Sequence, residues 1–461
     1  MPDLHWLSLA EAARLIESRE VSPVELTEAA LERTAAVDGE LNAFIALLAE
    51  TALTEASAAA DEIAAGGYRG PLHGIPVGLK DIFDVAGART TAASKAPVGH
   101  RPESDSECAK RLREAGAIIL GKLNLHEIAL GATGIVSSHG PARNPWDTTR
   151  ITGGSSSGSG AAVASGELLA ALGTDTGGSI RIPAALCGIV GIKPTFGRVS
   201  RRGLMPLSWS LDHAGPLTRT VEDAAIVLQA IAGHDPGDPA SSGVEVHDYT
   251  SRIGDGVKGM RVGVGSRWFS DDLPEEIAAN FREAVGVLES LGAEVREVDP
   301  PHIDEVAGAV ACIMLPEAFT YHAPWLRDHA DKYSEEVRFR LELGATYSAD
   351  QYINSLRFRE MVVEAWRQVF SQIDIVATPA TMAAAGPIER SDLSTTYSLI
   401  RFTNPFNFLG TPAISVPSGF TSEGLPLGLH LTAHWFDEAR VLRAAYAYEQ
   451  ATDWHTRRPP L

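Results

Sequence analysis

Two glycine- and serine-rich turns lie close together and dominate this sequence. Thr152-Gly-Gly-Ser-Ser-Ser-Gly-Ser-Gly160 comes first, and Gly173-Thr-Asp-Thr-Gly-Gly-Ser-Ile-Arg-Ile-Pro183 follows after a short apolar segment. Each turn contains a Gly-Gly-Ser unit, ending at Ser155 or Ser179, and apolar runs typical of buried elements flank both turns. Glycines let successive backbone N–H groups face one point without a Cβ in the way, which builds an anion-binding nest. In acyl transfer such a nest is an oxyanion hole, so the stretch predicts an α/β framework around a nucleophilic serine.

The first turn also matches a different hydrolase motif. Gly154-Ser-Ser-Ser-Gly158 fits G-x-S-x-G, the nucleophile elbow of α/β-hydrolases, and would make Ser156 the nucleophile of an esterase. An elbow should end a β-strand, whereas the preceding residues 144–150 are turn-like. That fold also needs a downstream Asp and His pair, and none of the candidate histidines stands in a suitable loop: His213, His430 and His434. The elbow is therefore the remote alternative.

Lys80 is the candidate base, because no histidine is well placed for that role. The chain has only seven lysines among its 39 basic residues, and Lys80 ends the apolar run Gly74-Ile-Pro-Val-Gly-Leu-Lys80. Burial lowers the pKa of a lysine, so the amine can be neutral at about pH 7 and accept a proton. The alternative is a surface lysine, or one that is paired with Asp81. Together with the two serine turns, the pattern favours the base.

These segments resemble the amidase signature family. The likeness runs from Gly74–Lys80 through both serine turns to Leu211-Asp-His-Ala-Gly-Pro-Leu-Thr-Arg219. It returns in Gly410-Thr-Pro-Ala-Ile-Ser-Val-Pro417 and Gly424-Leu-Pro-Leu-Gly428, so it covers most of the chain.

The resemblance implies a role for each matched residue. Ser179 would be the acyl-accepting nucleophile, and Ser155 a bridging serine that follows a cis peptide bond. Lys80 would be the base that accepts the proton of Ser179 by way of Ser155. Ser156 would help to orient Lys80. The oxyanion-hole N–H groups would come from the turn that ends at the nucleophile: Thr176, Gly177, Gly178 and Ser179.

The family implies hydrolysis of the C–N bond of carboxylic amides, with esters and carbamates as further substrates because they share the attacked carbonyl. It also includes the glutaminase (A) subunit of tRNA-dependent amidotransferases, which feeds ammonia to a partner. That protein carries a Tyr/Arg/Asp-rich glutamine-binding segment, which is not found here at 317–340 or 347–372. We therefore expect a free-standing amidase, and the alternative is the glutaminase subunit.

The substrate pocket is expected to come from segments outside the serine turns. Apolar and aromatic side chains are the candidates, which would favour aryl or alkyl amides: Leu130, Met205, Trp209, Tyr321, Trp325 and Phe406.

Composition limits the partners that we expect. The net charge is −20, which disfavours a phosphate backbone, so we predict small-molecule substrates and no nucleic acid. No run of apolar residues approaches a membrane span, and the N-terminus has no signal-peptide pattern, so we expect a cytoplasmic protein without a membrane partner. The three cysteines lie far apart, and we expect neither a metal ion nor a cofactor. A homodimer is compatible with these features.

Alternation of apolar strands with helices predicts an α/β fold, with a large mixed, mostly parallel β-sheet covered by helices on both faces. Strands are predicted at 74–80, 117–120, 168–173, 260–264, 373–377, 413–416 and 427–432, and helices at 105–115, 220–232, 275–291, 350–372 and 437–451. We expect a single amidase domain over 1–461, in four segments: N-terminal helices at 1–65, a catalytic core at 70–220, a helical substrate-pocket region at 235–400, and a return to the core sheet at 410–461.

Overall fold

The computed structural model describes residues 3–265 and 272–461. In these residues, 11 strands form one sheet with the order β1-β3-β2-β6-β8-β7-β12-β13-β11-β9-β10, and a separate two-stranded hairpin pairs β4 with β5. The strands are β1 Phe44–Leu47, β2 Pro76–Lys80, β3 Ile118–Leu123, β4 Arg143–Asn144, β5 Asp147–Ile151, β6 Ala170–Asp175, β7 Val190–Lys193, β8 His213–Thr218, β9 Arg261–Gly265, β10 Glu294–Val298, β11 Ile375–Pro379, β12 Ala413–Phe420 and β13 Pro426–Ala433.

Helices flank this sheet, so the predicted α/β architecture with a large mixed sheet is confirmed. They are α1 Leu9–Glu17, α2 Pro23–Leu41, α3 Ala49–Ala64, α4 Glu107–Glu114, α5 Ser157–Ala164, α6 Arg181–Cys187, α7 Val221–Ile231, α8 Glu275–Ser290, α9 Ile303–His329, α10 Glu335–Gly344, α11 Ala349–Gln372, α12 Leu393–Ile400, α13 Asn404–Leu409 and α14 Glu438–Gln450. Each strand and helix that was predicted from residue 70 onward corresponds to one of these elements. The division into four segments within one domain stays a prediction.

Parallel pairing occurs in two blocks of the sheet. Strands β3, β2 and β6 run parallel to one another, as do β11, β9 and β10, while antiparallel pairs join the two blocks through β8, β7, β12 and β13. Because neighbouring parallel strands end at the same edge of a sheet, the last residues of β2 and β6 lie side by side. This edge carries Lys80 and the residues that precede Ser179.

The N-terminal helices begin as their sequence predicts. Ser8 and Ser22 each accept the N–H of the glutamate three residues later, and that glutamate accepts the N–H of the serine, which completes a capping box. Pro23 occupies the first turn of α2, where its missing N–H costs no hydrogen bond. These caps fix where α1 and α2 start against the sheet.

One region differs from the sequence-based expectation. The residues before the first serine turn are not all turn-like, because Asp147–Ile151 forms β5 in the small hairpin. Helix α9 extends over 27 residues although it contains Pro316 and Pro324. Its buried side chains include Ile313 and Ala318, so packing outweighs the local helix-breaking signal.

We predict that Ser22→Ala lowers the free energy of unfolding by about 1 kcal/mol, because it removes the hydroxyl that accepts the Glu25 N–H. Urea denaturation followed by circular dichroism measures this change. Ser290→Ala is the matched control, since its hydroxyl only bonds the Val287 carbonyl at the end of α8. An equal loss in both variants would contradict the capping role.

Candidate active site

Lys80 ends β2 and is fully buried. Its Nζ donates to Ser155 Oγ at 2.7 Å and to Thr174 Oγ1 at 2.9 Å. Burial lowers the pKa of Lys80 to about 7, although the carboxylates of Asp212 and Asp175 oppose this effect by raising the pKa. The amine can therefore be neutral at about pH 7, as a general base must be. Sequence reasoning missed Thr174, although it lies inside the second quoted stretch.

Ser155 follows a cis peptide bond with Gly154, as the family resemblance implies. Its carbonyl accepts the His126 N–H at 3.0 Å, and the Gly154 N–H donates to the Ala132 carbonyl at 2.7 Å. These backbone bonds fix the turn that presents the Ser155 hydroxyl to Lys80.

Ser179 lies in the second turn and is 8% exposed. Its carbonyl accepts the Ser156 N–H at 3.3 Å, which ties the two serine turns together through their backbones. Among the described residues no hydrogen bond joins the Ser155 and Ser179 hydroxyls directly. The roles of Lys80, Ser155 and Ser179 stay predictions, while their placement in adjoining turns is compatible with a proton relay.

The nest before Ser179 is shaped by the carboxylate of Asp175. This carboxylate accepts the Gly178 N–H at 2.8 Å and the Ile180 N–H at 3.1 Å. Gly178 therefore does not have a free N–H for an oxyanion, which revises its predicted role as an oxyanion-hole donor. A side chain would not fit there either, since φ is +138° and an added Cβ would lie 2.2 Å from Thr403 Oγ1.

Three other N–H groups of the turn have no acceptor in the described parts of the chain: those of Thr176, Gly177 and Ser179. They are the donors that could hold an oxyanion, and that role stays a prediction.

Asp175 is itself held by two buried partners. Arg181 Nη2 donates to its Oδ1 at 2.9 Å, and Asn407 Nδ2 donates to the same oxygen at 2.8 Å. Burial would raise the pKa of Asp175, but Arg181, together with Lys193 and Asn407, outweighs burial and holds the pKa well below its usual range. Asp175 is thus ionised and can bind the turn. Asn407 lies on α13, and no pattern in the sequence predicted that it contacts Asp175.

Among the described residues no hydrogen bond joins Ser156 to Lys80. Its Oγ donates to the Thr174 carbonyl at 3.2 Å and accepts the Thr174 N–H at 3.3 Å. Since Thr174 Oγ1 in turn accepts from Lys80, Ser156 can orient Lys80 only through Thr174.

The histidines that a nucleophile elbow would need are engaged elsewhere. His213 Nδ1 lies 2.7 Å from the Leu211 carbonyl, and His430 Nε2 lies 2.9 Å from Arg181 Nη1. His434 Nδ1 lies 3.1 Å from the Trp435 carbonyl. None of these contacts reaches Ser156, so the geometry does not support the α/β-hydrolase alternative.

A cavity of about 360 Å³ adjoins this group, because Thr174 and Asp212 form part of its wall. Three of the predicted pocket residues line it: Met205, Trp209 and Tyr321. Leu130 and Phe406 are instead fully buried in the core, and Trp325 packs against Tyr321 with ring centroids 5.6 Å apart.

The cavity is also more polar than the sequence suggested. Charged side chains that we did not predict line it: Arg201, Arg202, Asp212 and Asp238. Asp212 lies inside the quoted segment Leu211–Arg219, whereas the other three lie in segments without a recognisable motif. The cavity therefore does not have the purely apolar lining that an aryl or alkyl amide would favour.

Neither a metal cluster nor a membrane span occurs in residues 3–265 and 272–461. No group of three or more His, Cys, Asp or Glu side chains could hold a metal ion there. No helix in these ranges is both long and apolar enough to cross a membrane.

We predict that Ser179→Ala abolishes amide turnover and covalent labelling by a serine-directed phosphonate, because the attacking oxygen is lost. Ser156→Ala should keep a measurable rate, since its hydroxyl only bonds the Thr174 backbone. Intact-mass measurement of the phosphonate adduct and an ammonia assay report both results. Full labelling of Ser179→Ala would overturn the assignment of the nucleophile.

We predict that kcat/KM falls as the pH drops below about 7, because Lys80 is then protonated. Asp212→Asn should move this acidic limb to lower pH, since the Asp212 carboxylate raises the pKa of Lys80. The pH dependence of kcat/KM measures the shift. Asp304→Asn, at an exposed position on α9, is the matched control and should leave the limb in place. A limb that does not move in Asp212→Asn would refute the electrostatic coupling.

Comparison with known proteins identifies the relatives of this chain. A family profile described as Amidase matches residues 25–442. The A subunit of the glutamyl-tRNA(Gln) amidotransferase of Moorella thermoacetica is 41% identical, covering 100% of this chain and 99% of that protein.

Solved structures show the same fold. One is described as a vestigial protein complex that reveals the evolutionary origins of an s-triazine catabolic enzyme. It has a TM-score of 0.91 at 35% identity and covers 96% of this chain and 98% of its own. The A subunit of the glutamyl-tRNA(Gln) amidotransferase of Thermotoga maritima has a TM-score of 0.84 at 36% identity, with 98% and 96% coverage.

These matches correct one prediction and confirm another. The expectation of small-molecule partners without nucleic acid is wrong, because relatives that are 41% identical are subunits of a glutamyl-tRNA(Gln) amidotransferase. The net charge is a sum over the whole chain, so it does not exclude a nucleic acid that is bound by a larger complex. The predicted family is confirmed over nearly the whole chain. The chain belongs to the amidase signature family and is a hydrolase that acts on carbon–nitrogen bonds.

Proposed function

We propose that this chain is the glutaminase (A) subunit of a tRNA-dependent amidotransferase. It would hydrolyse the side-chain amide of glutamine and pass the released ammonia to a partner. The observation that carries this proposal is the 41% identity to such proteins along the full length of both chains. A free-standing amidase, which the missing glutamine-binding segment favoured, becomes the second candidate.

The charges of the cavity support a polar substrate. Arg201 and Asp212 both line it, and Asp212 also accepts the hydroxyl of Thr176 at 2.6 Å. A ligand with an anionic group and an ammonium group, such as glutamine, matches opposite charges in one wall better than an aryl amide does.

The reaction would be a two-step acyl transfer. Neutral Lys80 accepts the proton of the Ser155 hydroxyl, Ser155 accepts that of Ser179, and the Ser179 oxygen attacks the amide carbon. The oxyanion is held by the N–H groups of Thr176, Gly177 and Ser179. Its collapse breaks the C–N bond as the proton returns through Ser155 to the nitrogen, so ammonia leaves. Water then cleaves the ester at Ser179 and restores the enzyme.

One basic residue in the segment 317–340 bears on how glutamine would be held. Arg340 of α10 is buried, and its Nη1 donates to the Leu130 carbonyl at 2.9 Å. This guanidinium thereby fixes the loop at Leu130, which lies beside the cavity. Recognition of the charged end of a substrate would then fall to other side chains.

The second candidate, a free-standing amidase for small linear amides, esters or carbamates, rests on shape. The TM-score of 0.87 to the native peptide amidase of Stenotrophomonas maltophilia, at 34% identity, exceeds the 0.84 to the Thermotoga maritima protein. The aromatic pair Trp209 and Tyr321, with ring centroids 6.3 Å apart, also gives the cavity an apolar side.

A cytoplasmic location fits both candidates. All three cysteines are free thiols, which is typical of a reducing compartment.

We predict that the chain, copurified with its partner subunits, releases ammonia from glutamine, and that the rate rises when glutamyl-tRNA is added. A coupled ammonia assay measures both rates, and Ser179→Ala is the control that should remove them. Hydrolysis of small linear amides by the isolated chain, without any release from glutamine in either preparation, would refute the glutaminase and favour the second candidate.

A further inference from the structure

Two arginines line the cavity beside the serine turns, and their surroundings differ. Arg202 is occupied by carboxylates: its Nε donates to Asp235 at 2.8 Å, and its Nη2 donates to Glu107. It is also 44% exposed. These ion pairs fix Arg202 at the rim and leave it little capacity for a ligand.

Arg201 is mostly buried and less fully paired. Its side chain is 15% exposed, and its nearest carboxylate, Asp238, lies 3.5 Å from Nη2. Nη1 donates to the Trp209 carbonyl, and Nε has no acceptor among the described residues. The guanidinium carries more N–H donors than these contacts use, so Arg201 keeps donors for a ligand in the cavity that it lines.

The guanidinium of Arg201 is held in place from one side. It lies over the Phe196 ring, with Cζ 4.7 Å from the ring centroid. Its main-chain N–H donates to Asp238 at 2.8 Å. Such a fixed planar group is suited to a planar carboxylate, which it can bind through two N–H groups.

The cavity extends from Arg201 to Thr174, which contacts the candidate base Lys80. Thr174, which accepts a hydrogen bond from Lys80, and Asp212, which accepts one from Thr176, line the same cavity as Arg201. A substrate whose amide lies at Ser179 can therefore extend its acyl chain along this wall towards Arg201.

We propose that Arg201 is a specificity-determining residue that binds a carboxylate on the acyl part of the substrate. The substrate class is then amides whose acyl chain ends in a carboxylate, of which glutamine is one member. The inference rests on the proposed amidase reaction at Ser179, and it does not require glutamine itself.

Three matched amides test this inference: glutamine; glutaramic acid, which lacks only the amino group; and pentanamide, which lacks the carboxylate as well. The native assembly should prefer glutaramic acid to pentanamide. Arg201→Met should raise KM for glutaramic acid roughly tenfold or more, because a charge-assisted bidentate bond is lost. The same variant should leave kcat/KM for pentanamide nearly unchanged, and Arg201→Lys should restore part of the affinity.

Arg443→Met is the matched control. Its Nε also lacks an acceptor among the described residues, but it lies on α14 and does not line the cavity. This variant should hydrolyse all three amides like the native protein.

The outcomes separate this inference from the glutaminase proposal. If glutaramic acid is hydrolysed in an Arg201-dependent way and glutamine is not hydrolysed, the glutaminase proposal is refuted and the carboxylate-binding role of Arg201 is supported. A preference for pentanamide, or equal losses for both amides in Arg201→Met, would overturn the role of Arg201. If no amide is turned over, glutarate should still slow phosphonate labelling of Ser179 in the native protein and not in Arg201→Met. Equal labelling rates would then overturn the inference.

Discussion

The carboxylate of Asp175 is the contact on which the serine turns depend. It stands at the end of β6 and binds the N–H groups of Gly178 and Ile180, so it determines the path of the chain through Ser179. A buried carboxylate would ordinarily favour its neutral form, and Arg181 prevents this by direct pairing. The turn that carries the nucleophile is thus built around a buried charge whose compensation comes from the helix that follows.

The basicity of Lys80 follows from a balance between two effects. Burial disfavours the ammonium form, while the nearby carboxylates of Asp212 and Asp175 favour it. Neither effect alone gives a useful base, because an exposed lysine stays protonated and a buried lysine without counter-charges could not accept a proton readily. Asp212 also lines the substrate cavity, so the electrostatics of binding and of proton transfer share one side chain.

Sequence reasoning found the parts of the site that are local in the chain. The Gly-Gly-Ser units and the apolar run before Lys80 carry their own signals, because turn chemistry and strand patterning act over a few residues. Asn407 could not be found in this way, since it meets Asp175 across 232 positions of the chain. Arg201 could not be found either, because only folding brings it to the cavity.

The partners of Arg181 and Asp175 have a consequence for synthesis on the ribosome. Lys80 and both serine turns are made well before Asn407 and His430, which complete the buried network. A nascent chain that stops before α13 has Lys80 and Ser179 but lacks both Asn407 and His430, which hold Arg181 and so secure the turn. Competence for acyl transfer is therefore acquired only after α13 and β13 are made, and a product that ends before α13 would carry both serine turns while the turn that bears Ser179 stays unsecured.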